Sequence, residues 1–294
     1  MLQQEPWTDD QVEELFSTIA RKQDAYMHIF PFFKAFFILK EEALRVCRPK
    51  PIALDTDTLT SRYKAGLPLI DRSVMPVDQA NAEKLILDML NLADESNEQL
   101  GKAARTMRAS LASQPDLLRH CYHLLLDEKT GELKTQAQIL GVSTDILLFF
   151  QYHSVWPSAA KHLGGLKRHL PGESEWRQGY CPFCGGQPHL SLLSRDGQRY
   201  LTCSFCTHVW SVRRIFCPFC ENESAESLGY FYSEAEPQYR VHTCRKCQGY
   251  IKTVDLRQLN RPFYAPLETL VTTHLDIQAL EQGFECKTPA WAIL

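Results

Sequence analysis

The chain has no apolar run long enough to span a membrane. Its most apolar stretch, residues 27–39, falls short of the ~20 residues a bilayer core requires and contains Pro31 and Lys34. It also lacks a large excess of charge. Lys and Arg number 32 against 35 Asp and Glu, a formal net charge of −3, which argues against a protein whose main work is to coat nucleic acid. The opening residues MLQQEPWTDD have neither the basic head nor the apolar run of an export leader, so a cytoplasmic protein without membrane insertion is expected. A Walker phosphate loop, a dinucleotide-binding glycine fingerprint, a His-Glu-x-x-His helix and a nucleophile elbow are all missing. No catalytic constellation is legible, and a non-catalytic role is expected. What remains is ordinary globular material: 294 residues, 44% hydrophobic and 23% charged, enough for about two domains.

Cysteine is the exception. There are 11, and the stretch 181–247 holds four Cys-x-x-Cys pairs: Cys181/Cys184, Cys203/Cys206, Cys217/Cys220 and Cys244/Cys247. A reducing cytosol does not keep structural disulfides, so such a cluster points to metal or redox chemistry. A Cys-x-x-Cys knuckle lets two thiolates converge on one ion, and two knuckles joined by a hairpin complete a closed tetrahedral shell of the zinc-ribbon or rubredoxin kind. The expected sets are Cys181, Cys184, Cys203 and Cys206 on one ion, and Cys217, Cys220, Cys244 and Cys247 on a second; interleaved pairing stays open. A thioredoxin-like dithiol is disfavoured because turns and strands, not helices, follow each pair. Cys47, Cys121 and Cys286 read as small apolar residues. His120, Cys121 and His123 lie close together on a helical pattern but lack a fourth ligand.

The composition changes near residue 170. Before it, glycine is sparse and apolar residues recur at helical spacing: Val12, Leu15, Phe16 and Ile19 in one segment, Leu85, Ile86, Met89 and Leu90 in another. Helices are expected over about 9–29, after Pro31, from Pro76, and over 97–113, 115–127 and 143–165, with 127–131 as a turn: an all-α domain of five to seven helices. Gly164, Gly165, Pro171 and Gly172 mark a linker. Short β segments follow at 189–193, 199–202, 209–214, 228–232, 239–243 and 250–254. They form two copies of one unit, since Cys181 to Cys217 is 36 positions and Cys203 to Cys244 is 41. The extra five residues fall in the second hairpin. A late helix should carry Leu267, Leu270, Val271, His274, Ile277 and Leu280 on one face, ending at Gly283. The expected fold is α+β: an all-α domain over 1–170, four-cysteine units over 171–214 and 215–262, and a C-terminal helix and tail over 263–294.

These residues resemble the formate dehydrogenase accessory protein FdhE family. The resemblance rests on Trp176-x-x-Gly-x-Cys-Pro-x-Cys-Gly185, Tyr200-Leu-x-Cys-x-x-Cys with Trp210 after it, and Arg214-x-x-Cys-x-x-Cys220. It continues in Cys-x-x-Cys-x-x-Tyr-x-Lys252 and Leu267-Glu-Thr-Leu-Val-x-x-x-Leu-Asp276. It is sharp over about 176–289. It implies a cytoplasmic maturation factor that binds the catalytic subunit of formate dehydrogenase before export, with rubredoxin-like sites that favour iron, zinc being possible. It brings no catalytic residue. Self-association is compatible with it.

Two other classes compete. One is a zinc-ribbon adaptor for nucleic acid, with Phe183, Phe205 and Phe219 as stacking platforms. Residues 181–257 carry 9 basic and 7 acidic groups, a net +2 that is too little to track phosphates. The other is a rubredoxin-like electron carrier. For a protein partner, the expected contacts are His208, Trp210, Arg213, Arg214, His242 and Tyr250, because aromatic and arginine residues anchor most interfaces.

Overall fold

A computed structural model of the chain describes residues 6–20, 28–53, 55–114, 116–170, 176–289 and 292. Its helices are α1 (Asp9–Ala20), α2 (Phe30–Val46), α3 (Thr56–Lys64), α4 (Gln79–Asp94), α5 (Glu98–Ser113), α6 (Leu117–Leu126), α7 (Thr130–Leu140) and α8 (Thr144–Leu166), then α9 (Ala265–Val271) and α10 (Thr273–Glu281). The strands are β1 (Pro188–Leu193), β2 (Arg199–Cys203), β3 (Val209–Val212), β4 (Leu228–Phe231), β5 (Tyr239–Cys244), β6 (Gly249–Asp255) and β7 (Glu285–Cys286). The residues divide into two compact units. One comprises residues 4–52 and 72–164; the other joins 53–71 to 165–294.

In the helical unit, side-chain caps start the helices. Asp78 accepts the backbone N–H of Asn81 at the head of α4, and Asn97 that of Leu100 at the head of α5, each satisfying a donor the helix itself leaves open. The apolar faces meet in a core that includes Phe36, Phe37, Leu85, Met89, Tyr122, Leu133 and Phe150, all fully buried. Among the described residues eight helices precede residue 170, one beyond the five to seven expected, and α3 is the one that falls outside the helical unit. Helix α7 escapes the sequence pattern because Gly131 sits in its first turn and reads as a breaker, although Leu133, Ala137 and Leu140 recur at helical spacing and are buried.

One buried group in this unit makes stability depend on pH. The Lys40 ammonium lies 3.0 Å from His153 Nδ1 and 4.7 Å from the centre of the Trp156 ring. Burial pulls its pKa down to about 7, against the pull of Glu41. An unfolded lysine keeps its proton up to ~10.4. Between about pH 7 and ~10.4 the unfolded chain therefore holds a proton the folded one does not, and stability rises with pH across that window. Urea unfolding should show Lys40→Met to be the more stable protein at about pH 7, by a few kcal/mol on the order implied by the shift, with the gap closing towards pH 10. A gap independent of pH would mean that Lys40 is charged throughout.

The cysteine unit is built on one sheet in the order β3-β2-β1-β6-β5-β4, with β7 also on β6. Each sequence repeat forms an antiparallel triplet, β1-β2-β3 and β4-β5-β6. The two triplets are joined by a parallel pairing of β1 with β6, Leu190 opposite Lys252 and Leu192 opposite Val254. Strand β6 is consequently central and buried along its whole length, Lys252, Thr253 and Asp255 included.

The boundary expected at residue 170 places all earlier residues in the helical domain, whereas 53–71 packs with the cysteine unit. Leu69 and Ile70 donate backbone hydrogen bonds to Pro182 O and Phe183 O at 2.8 and 2.9 Å, Tyr180 donates its hydroxyl to Gly66 O, and Tyr63 stacks on Trp176. Backbone pairing of this kind leaves no pattern of side chains to read. The late helix also differs from expectation. It breaks at Thr272, whose hydroxyl bonds back to Glu268 O, so the face turns. Leu275 and Ala279 are buried in α10, while Ile277 and Leu280 point to solvent.

Candidate metal centres

The hairpins bring the eight cysteines together in two sets of four: Cys181, Cys184, Cys203 and Cys206, and Cys217, Cys220, Cys244 and Cys247. Within each set all four sulfurs lie within 4.8 Å of one another. The pairing is sequential because β2 and β5 each return the chain to the knuckle that opened their own triplet. In the first set Cys181–Cys206 and Cys184–Cys203 are 3.6 Å apart; in the second Cys217–Cys247 is 3.6 Å and Cys220–Cys244 is 3.7 Å. A disulfide would need ~2.05 Å. A tetrahedron of sulfurs around an ion at ~2.3 Å has edges of ~3.8 Å, so these spacings fit a four-thiolate shell. An ion in either set would fill its whole coordination from the protein and lend stability to the hairpins, since no position stays open as it does in catalytic zinc. Zinc and iron both suit such a shell.

All four knuckles share a backbone feature. The residue after the second cysteine is left-handed each time: Gly185, Thr207, Glu221 and Gln248, with φ of 73, 62, 57 and 56°. Three of these are not glycine and each carries a cost on the order of 1 kcal/mol. The turn closes with backbone bonds such as Cys181 N–H to Gly186 O, 2.9 Å, and Cys217 N–H to Asn222 O, 2.8 Å. It also aims N–H groups at sulfur, as Phe205 N–H does to Cys203. Close approach demands glycine at two points. A Cβ on Gly186 would stand 2.8 Å from the Cys203 sulfur, and one on Gly179 would strike the Pro218 carbonyl oxygen, where the lead-in to the first knuckle crosses the second.

The thiols influence one another. Burial, with hydrogen bonds within the set, pushes Cys181 and Cys206 well up. Burial also opposes ionisation of Cys203, but the hydrogen bonds it accepts from the other three thiols hold it well down. Removing the water around four sulfurs thus leaves protons to be displaced, and a cation is the group that displaces them.

The remaining candidates scatter. His120 and His123 are exposed while Cys121 is buried, and among the described residues no metal-like group forms around them. Cys47 is buried, as expected, but Cys286, in the two-residue strand β7, is exposed. Of the expected partner contacts, His208, Trp210 and Tyr250 are buried. His208 stacks on Trp210, and Tyr250 donates its hydroxyl to Asp276 at 2.9 Å. Arg213 and Arg214 are exposed, Arg213 in an ion pair with Glu223. Arg214, His242 and Tyr250 converge on one cavity, together with Arg199 and Arg240, which sequence reasoning passed over. The signal for Arg199 was its place on β2 in phase with Leu201 and Cys203, a charged residue on an inward row.

Comparison with known proteins gives a consistent result. The family model described as "FdhE, central domain" matches residues 180–214. A relative named "Protein FdhE homolog" from Aquifex aeolicus is 30% identical over 239 residues, covering 79% of this chain and 77% of its own. One of the same name from Pectobacterium carotovorum is 26% identical over 248 residues, covering 83% and 75%. The crystal structure of the FdhE protein from Pseudomonas aeruginosa superposes with a TM-score of 0.72 over 98% of this chain and 97% of that one, at 22% identity, a likeness of fold. Among the described residues no helix is long and apolar enough to cross a membrane.

Proposed function

Because the chain belongs to the FdhE family, as the extent and identity of its match to the Aquifex aeolicus relative establish, we propose that it is an accessory protein for formate dehydrogenase. In this reading it binds the catalytic subunit in the cytoplasm, before export and full assembly, and catalyses no reaction of its own. The observation that supports it is the pair of closed four-cysteine groups. Sites of that form hold a surface in shape and offer a substrate no coordination position. Cys181, Cys184, Cys203 and Cys206 hold one ion and Cys217, Cys220, Cys244 and Cys247 the other. Iron is the working metal, and zinc takes its place when the protein is overproduced, since both accept four thiolates.

The test joins genetics to purification. A deletion strain should lose formate dehydrogenase activity while still synthesising the enzyme's subunits. Protein captured anaerobically from the native host should carry two ions per chain and retain the catalytic subunit. Normal formate dehydrogenase activity in the deletion strain, with no second copy of the gene, would sink the reading.

A further inference from the structure

Beside the second four-cysteine group, on the strands β4, β5 and β6, lies a cavity of about 280 Å³. Its lining carries three arginines, Arg199, Arg214 and Arg240, with His242 and two cysteines of the centre, Cys217 and Cys244, beside the hydroxyls of Tyr230, Thr243 and Tyr250, and it includes no Asp or Glu. Phe216, Phe219 and Ile251 supply apolar wall. We propose that this cavity binds a small organic anion, a carboxylate or phosphate head carried on an apolar body.

Arg199 argues for it most directly. Its side chain is 2% exposed, and its guanidinium donates only to neutral oxygens: Nε to Ser191 Oγ at 2.9 Å, and Nη1 to Phe216 O at 2.7 Å and to Arg214 O at 3.4 Å. Nη2 is buried without a hydrogen-bond partner, and among the described residues no carboxylate pairs with it. Withdrawing a guanidinium from water is costly; burial pulls this one down to about 10, with the Cys217 sulfur the charge that opposes it.

Arg240 is set in place rather than free. Its guanidinium lies over the rings of Tyr230 and Tyr232 and donates one bond to Asp255, 3.1 Å. Asp255 is shared with Arg257 and does not line the cavity. Arg214 makes no ion pair with any described residue. Three guanidinium groups around one half-apolar hollow form a setting in which Arg recognises carboxylate or phosphate.

A divalent ion on four thiolates would leave the neighbouring centre negative, so the arginines could instead serve the metal. The experiment separates the two roles. The metal-loaded full chain is titrated by calorimetry with phenyl phosphate, benzoate and phenol. Phenyl phosphate or benzoate should saturate a single site and phenol should not, and whichever anion binds tighter identifies the head group. Arg240→Gln, at a partly exposed position, should keep both ions and weaken the anion about tenfold or more, the loss expected of one charged hydrogen bond. Arg213→Gln, whose side chain pairs with Glu223 away from the cavity, should bind as the parent does. The proposal fails if neither anion saturates by about 1 mM, if phenol binds as well as benzoate, or if Arg240→Gln binds the anion unchanged. It fails equally if the parent binds no anion and Arg240→Gln sheds metal. None of these outcomes depends on whether the chain captures a dehydrogenase subunit.

Discussion

Cys181→Ser is expected to drop the metal content of the chain from two ions to one and to open the cysteine unit to protease while the helical unit stays closed. Four-thiolate sites in small peptides contribute ~10–16 kcal/mol apparent, and removing one ligand forfeits much of that. The knuckle also holds a distant piece of chain. Leu69 and Ile70 hang by their backbone N–H groups on Pro182 and Phe183, inside the knuckle itself. Limited proteolysis should therefore cut near residues 62–71 at the same time as near 180–206, although more than a hundred residues of sequence separate them. Residues 72–164, which share the other compact unit with 4–52, should survive longest. First cuts within 72–164, or an uncut 62–71 beside a cleaved knuckle, would show that the stated packing does not govern the opening.

The second large effect is expected at Arg261. Glu268 in α9 is completely buried and is balanced by Arg261, which donates Nη2 to Glu268 Oε2 at 2.8 Å, and by the Tyr239 hydroxyl, also 2.8 Å. Arg261→Met leaves a carboxylate in the interior with one neutral donor. Removing one partner of a buried pair costs ~3–5 kcal/mol, whereas replacing both by apolar groups is often nearly neutral. Urea unfolding of metal-loaded protein should thus show a deep loss for Arg261→Met and recovery of most of it in Arg261→Met with Glu268→Leu. If the single variant loses less than about 1 kcal/mol, the pair is not insulated from water as its burial implies.

Much of the cysteine unit could be read from the chain because its signals are local. Knuckles have a fixed spacing, turns announce themselves by Gly, Asn and Pro, and all six main strands fall within a residue or two of the segments expected. The joint between the triplets was not legible. Strand β6 carries Lys252, Thr253 and Asp255, residues that suggest a solvent-facing edge, yet it is the middle of the sheet. Lys252 reaches Asp276 at 2.7 Å and Thr269 O at 2.9 Å, and Asp255 takes Arg240 and Arg257. Apart from Arg257, these partners lie 15 to 24 positions away, and pairing over such a span has no periodicity. The same holds for α3, which offers few apolar residues and starts on an Asp55 cap. The expected partner anchors meet a related limit. Aromatic character in His208, Trp210 and Tyr250 describes core and interface equally well, and only burial tells them apart.

The parallel contact between β1 and β6 has a consequence for how the chain is made. Strand β1 leaves the ribosome with β2 and β3 and can pair on that side at once, but its other edge must wait for residues 249–255. Segment 53–71 likewise emerges long before Pro182 and Phe183, the groups that receive it. Nascent chains stopped before residue 180 should then leave the N-terminal segment unattached, and chains that have released β1 to β3 but not β6 should expose a sheet edge, each of which invites pairing with the wrong partner. Chains stopped beyond residue 260 should have lost both.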